Sequence, residues 1–131
     1  MEDYKPFFDA VEELKERSKE GWVVVVEGKK DVKSLRAIGV SGEIVVFTGI
    51  ASTVEILKDS DVIILTDFDS KGMEIERKLV EALRSYGKVP DVEIKRKIFI
   101  SVRKEISKVE EIFAFYEKVS TQLSTRVQMG E

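Results

Sequence analysis

Apolar and polar positions along this chain fall into blocks whose period switches between that of a helix and that of a strand. Phe7, Phe8, Val11 and Leu14 recur at helical spacing among acids and lysines, predicting an amphipathic helix over residues 3–19 that Gly21 ends. Trp22 and the four valines after it make an unbroken apolar run at 22–26, the pattern of a strand covered on both faces. Val32, Leu35 and Ile38 trace a helix that stops at Gly39. A second short strand is expected at 43–47, a helix at about 52–58 and a third strand at 62–66. Ile75, Leu79, Val80 and Leu83 place a helix over 72–85, with Gly87 as its stop. Val92 and Ile94 alternate ahead of Lys95-Arg96-Lys97, so 92–100 reads as a fourth strand nearer an edge.

Strand and helix thus alternate four times, the grammar of an α/β sheet with right-handed crossovers. The expected architecture is a three-layer α/β fold on a mainly parallel four-stranded sheet of order 2-1-3-4. The whole chain, 1–131, reads as one domain, with a core at 20–100 and a helical segment at 101–120. In that segment Ser107-Lys108-Val109-Glu110 has the form of a capping box opening a helix that carries Ile112, Phe113, Phe115 and Tyr116. From about Thr121 the chain turns polar, and Met129-Gly130-Glu131 is expected to fray.

Composition narrows the chemistry. Hydrophobic residues make up 43% of the chain and charged ones 36%, which supports a packed core under a well-solvated surface. Without cysteine there is no disulfide, thiolate nucleophile or zinc–sulfur site. Without histidine the usual general base is missing, and so is any Ser-His-Asp arrangement. Asparagine is absent and glutamine occurs only at Gln122 and Gln128; with abundant Lys, Glu and Arg, this resembles hyperthermophile composition. The acidic amino end has no apolar signal core, and no run approaches a membrane span, so a cytoplasmic location without membrane contact is expected. A net charge of −3 means that any polyanion must be met by a local patch or by metal-borne charge.

Acids occupy the places where such a sheet binds ligands, outside the carboxyl ends of its strands at the switch point. Glu27 closes the first strand, with Gly28 expected to let the chain turn; Asp67 and Asp69 close the third. Asp31 lies one helical turn beyond Glu27 and can face the same centre. Carboxylates gathered so closely raise one another's pKa and repel unless a cation joins them. Hard oxygen donors, with no histidine or cysteine available, suit Mg²⁺ or Mn²⁺.

Two segments carry a resemblance: Val26-Glu27-Gly28-Lys29-Lys30-Asp31 and Asp67-Phe68-Asp69-Ser70-Lys71-Gly72. They are similar to the paired motifs of the Toprim domain, found in topoisomerases, bacterial-type primases, nucleases and the maturase of bacterial 5S ribosomal RNA. The likeness spans roughly residues 20–100, and the chain most resembles the small stand-alone Toprim proteins of archaea. It implies one or two Mg²⁺ ions, with Mn²⁺ able to substitute, and phosphodiester chemistry on RNA or DNA. By the same resemblance Glu27 would be general acid/base or metal ligand, Asp67 and Asp69 the principal ligands, and Asp31 an outer or second-metal ligand. Lys29 and Lys71 would hold phosphate oxygens as point charges, although surface lysine is the simpler reading of both. Nuclease action in nucleic-acid processing is the leading expectation. A non-catalytic module gripping a 5′ phosphate or a protein partner is the alternative.

Tyr4, Tyr86 and Tyr116 all lie on predicted helices and read as packing residues, which argues against strand passage by this chain alone. Lys95-Arg96-Lys97 and Arg103-Lys104 offer a basic stretch for a nucleic-acid backbone, or simply a solvated edge. A response-regulator receiver would need a lysine ending a fifth strand. A haloacid-dehalogenase phosphatase would carry its Asp-x-Asp after the first strand. Both fit the order of motifs less well.

Overall fold

The computed structural model describes residues 3–128. In chain order the elements are α1 (Lys5–Lys19), β1 (Val23–Val26), α2 (Lys29–Ile38), β2 (Ile44–Val46), α3 (Ile50–Leu57), β3 (Val62–Ile64), α4 (Ser70–Arg84), α5 (Glu93–Phe99), a 3₁₀ turn (Val109–Glu111) and α6 (Ile112–Gln128). The three strands form a parallel sheet of order β2-β1-β3. Val24 pairs with Ile44 on one side and with Ile63 on the other.

Burial of both sheet faces follows from the strand period. Val24, Val26, Ile63 and Leu65 pack into one core with Leu14 of α1, Leu35 of α2, Phe99 of α5 and Phe115 of α6. Val23, Val25, Val62 and Ile64 pack into a second core with Leu57 of α3 and with Leu79 and Leu83 of α4. The result is three layers, helix on sheet on helix, with all four residues of β1 buried. Helix α6 packs chiefly along α2, and its aromatic group also meets the aromatic side chains of α1. Phe115 meets Phe7 edge-on at 5.2 Å, and Tyr116 meets Phe8 at 5.0 Å. Trp22 lies just before β1, partly buried, with the Arg17 guanidinium 4.8 Å from its ring centre.

The expected fourth strand is instead helix α5. Ile94, Ile98, Phe99 and Val102 are fully buried at i, i+4, i+5 and i+8, a helical stripe that the brief Val92/Ile94 alternation obscures. Asp91 starts the helix by accepting the Ile94 N–H at 2.9 Å. A trace of the fourth strand survives as one parallel bridge between Ile63 and Asp91. The basic stretch changes meaning with it. Lys95 is buried and drops out of it, while Arg96, 3.7 Å from Glu93, and Lys97, 3.3 Å from Glu13, stay exposed in surface ion pairs.

Three smaller expectations also shift. The cap of the carboxyl-terminal helical segment falls one residue later, with Glu111 accepting the N–H groups of Ser107 and Lys108. Its helix continues past Thr121 to Gln128, while Met129-Gly130-Glu131 lie outside the described residues. Tyr86 lies past the end of α4, 53% exposed.

Candidate functional site

Glu27 follows the last residue of β1, with only 14% of its side chain exposed. Its Oε2 accepts the Asp67 N–H at 2.8 Å, so one carboxylate ties the end of β1 to the segment leaving β3. Gly28 is the N-cap of α2 with φ −155° and ψ 177°, an extended conformation open to any residue. An added Cβ there would meet nothing within 4 Å, so the turn does not depend on glycine as expected. Asp31, buried in the first turn of α2, reaches back so that its Oδ2 accepts the Gly28 N–H at 2.9 Å. This is the acidic half of a capping box, and it holds the acid beside the strand end.

The β3 side is held from more directions. The Asp67 carboxylate accepts the Val109 N–H at 2.8 Å through Oδ1, and the Phe68 N–H donates to the Ser107 carbonyl at 2.7 Å. The Phe68 ring stacks on Phe99 at 5.6 Å. Asp69 caps α4, its Oδ1 accepting the Gly72 N–H at 2.7 Å, which is an ordinary helix-capping role and leaves Oδ2 without a hydrogen bond among the described residues. Gly72 is buried against the preceding loop, and any Cβ would run into the backbone of Asp67.

Electrostatics join the four acids. Burial pushes the Asp67 carboxyl up to about 6; the Val109 N–H opposes this, while the charges of Glu27, Asp31 and Asp69 add to it. Asp31 is likewise raised, first by burial and then by Glu27 and Glu110, against the pull of the Gly28 N–H. The charges of three acids therefore reach Asp67 across the rim. Among the described residues, however, no group of three or more acids stands at metal-holding spacing as the side chains are arranged.

The donor set nonetheless fits a hard divalent ion. Glu27, Asp67 and Asp69 each use one oxygen to accept a backbone N–H, and the other accepts no hydrogen bond among the described residues. Each carboxylate thus keeps one oxygen available as a hard donor, and the charges of Glu27, Asp31 and Asp69 that add to the burial of Asp67 are of the kind a cation would offset. Lys71 Nζ is 3.9 Å from Glu27 Oε1, but 81% of its side chain is exposed, so it screens weakly. Lys29 is exposed at the start of α2.

Sequence reasoning missed Val109 and Ser107, whose backbone groups bond across about forty residues and carry no local signature. It also missed Thr66 and Lys95 beneath the Asp67–Gly72 loop. A lysine interrupting an apolar helical stripe was the available signal for Lys95.

Fold and rim together define an α/β protein with paired carboxylate motifs at the ends of adjacent parallel strands. The Toprim domain model matches residues 22–102, and the chain belongs to that family. It is 80% identical over 120 residues to a UPF0292 protein of Archaeoglobus fulgidus, covering 92% of this chain and 97% of the relative. A UPF0292 protein of Thermococcus gammatolerans is 40% identical over 121 residues, covering 90% and 89%. A solved structure of a protein from Aquifex aeolicus matches with TM-score 0.66 and 31% identity, covering 79% of this chain and 95% of that one. The family suggests a metal-binding role connected with nucleic acid. No helix among the described residues is long and apolar enough to cross a membrane.

Proposed function

We propose that this chain is a divalent-metal-dependent protein acting on nucleic-acid phosphodiesters, with Glu27, Asp67 and Asp69 as ligands to Mg²⁺ and Asp31 beside them. The supporting observation is the 2.8 Å bond from the Asp67 N–H to Glu27 Oε2, which brings the acids of the two motifs to one place. A bound Mg²⁺, or Mn²⁺ in its stead, would supply Lewis acidity toward a phosphodiester oxygen. Asp67, with its pKa raised to about 6, is mostly ionised at neutral pH and would give up its remaining proton occupancy to a bound ion. Glu27 Oε1, without a hydrogen bond, would serve either as a ligand oxygen or, where Asp67 and Asp69 alone hold the ion, as the oxygen that takes or returns a proton. Gly28 leaves the approach to Glu27 free of a side chain, so a phosphate can come close to the start of α2. Lys71, 3.9 Å from Glu27 Oε1, would bring a positive charge to the same approach.

The test is cleavage of end-labelled structured RNA and DNA with Mg²⁺ or Mn²⁺, beside a Glu27→Gln variant. Metal-dependent cleavage that vanishes in the variant supports this reading. Binding by both proteins without cleavage by either favours a non-catalytic module gripping a 5′ phosphate.

A further inference from the structure

Lys95 is 1% exposed, yet its ammonium lies under the carboxylate rim rather than in water. Nζ stands 2.6 Å from Glu76 Oε1 of α4 and donates to Thr66 Oγ1 at 3.1 Å, with Met73 Sδ at 3.6 Å. Glu76 Oε1 accepts no well-aligned hydrogen bond, so the 2.6 Å approach acts as a charge pair. Thr66 Oγ1 in turn donates to the Gly72 carbonyl at 2.7 Å. The relay runs from Lys95 through Thr66 to Gly72 and closes the loop at its two ends. Between those ends lie Asp67 and Asp69. Gly72 is held from both sides, since its N–H donates to Asp69 Oδ1.

Stability alone is a poor reason for such an arrangement. Replacing a buried ion pair with apolar side chains of similar volume is often neutral or stabilising, because desolvation offsets much of the attraction. An apolar residue at position 95 would fill the space but leave the Thr66 hydroxyl without a donor. What Lys95 adds is direction: it orients Thr66, and Thr66 fixes the first turn of α4 against the strand end.

We propose that Lys95 is a positioning residue for the carboxylate rim, acting through Thr66 to hold the loop that carries Asp67 and Asp69 closed against the end of β3, so that fewer arrangements of these acids compete with the one a divalent ion would draw together. The idea rests on the reading of that rim as a metal site. Groups that orient ligands from behind change metal affinity by about 10- to 100-fold when removed. Lys95 touches neither metal nor substrate, and its role is to restrict what the loop can do.

Full-length protein, Lys95→Met, Lys95→Met/Glu76→Leu and Thr66→Val are to be compared by Mn²⁺ titration with electron paramagnetic resonance. Thermal melting and metal-free amide exchange at Asp67 and Gly72 complete the set. The single Lys95→Met variant strands Glu76 and should melt earlier. The double variant should recover the wild-type midpoint, yet bind Mn²⁺ at least about tenfold more weakly and exchange both amides faster. Thr66→Val, which leaves the ion pair in place, should reproduce the affinity loss. A double variant and a Thr66→Val variant with wild-type Mn²⁺ affinity and wild-type amide protection would overturn the proposal and make the pair a core feature only. If wild-type protein binds no Mn²⁺, the metal reading fails separately. Amide protection then decides on Lys95: faster exchange in both variants supports the loop-holding role, and unchanged exchange rejects it.

Discussion

The two strand ends that form the rim are built differently. The β1 end is open: Glu27 is followed by a glycine with nothing within 4 Å of where its Cβ would be, and Asp31 secures the turn from inside α2. The β3 end is enclosed. Gly72 presses on the Asp67 backbone, Thr66 and Lys95 brace the loop from below, and Ser107 and Val109 hold it from the carboxyl-terminal segment. Rigidity on one side and access on the other is the arrangement expected where a ligand must approach fixed acids. The contrast also shows that the segment beyond residue 102, outside the matched family region, takes part in holding the rim.

Substitutions at the two glycines break this contrast most sharply. Gly72→Ala forces a methyl group into the Asp67 backbone, and denaturant melts should show a loss of about 3 kcal/mol. Gly28→Ala has space for its methyl group and suits a β-region φ, so the same melts should show little change. If Gly28→Ala melts like Gly72→Ala, the open-side description is wrong.

Asp69→Asn separates capping from ligation. Asparagine caps a helix about as well as aspartate, so melting should stay within roughly 0.5 kcal/mol of wild type. Isothermal titration should nonetheless show Mg²⁺ affinity reduced at least about tenfold, since a neutral amide replaces a charged donor. Equal affinity in both proteins would leave Asp69 with its capping role alone. A smaller effect is expected at Gly28→Ala in nucleic-acid binding, where the methyl group meets an approaching phosphate. A gel-shift titration showing tighter binding would contradict that.

Asp67 also sets a pH dependence. Its folded-state pKa of about 6 exceeds the ordinary 3.8, so the folded state holds this proton more tightly than the unfolded one. The contribution favours folding below about pH 4 and is lost as pH rises through 6. Glu27→Gln removes one of the charges that add to the burial of Asp67 and should lessen this dependence without abolishing it, measurable as melting midpoint against pH.

Much of this was legible from the residues. The valine run of β1, the apolar run of β3 and the acids after each depend on short-range pattern, and the structure puts those acids at adjacent strand ends in the order β2-β1-β3. Helix α5 was hidden because Lys95 places a charge where the helical stripe demands an apolar residue, and because Val92 and Ile94 imitate a strand for three positions. The enclosure of Asp67 was hidden for another reason. Backbone N–H and carbonyl groups at Ser107 and Val109 do that work, and every residue type carries them.

The most direct measurement is the Asp67 side-chain carboxyl titration, followed by carbon-13 NMR in EDTA and again in saturating Mg²⁺. Metal ligation by the rim predicts a pKa of about 6 without the ion and a fall below the ordinary 3.8 with it. The same titration curve in both conditions, while the protein stays folded, would contradict the claim that these carboxylates hold a divalent cation.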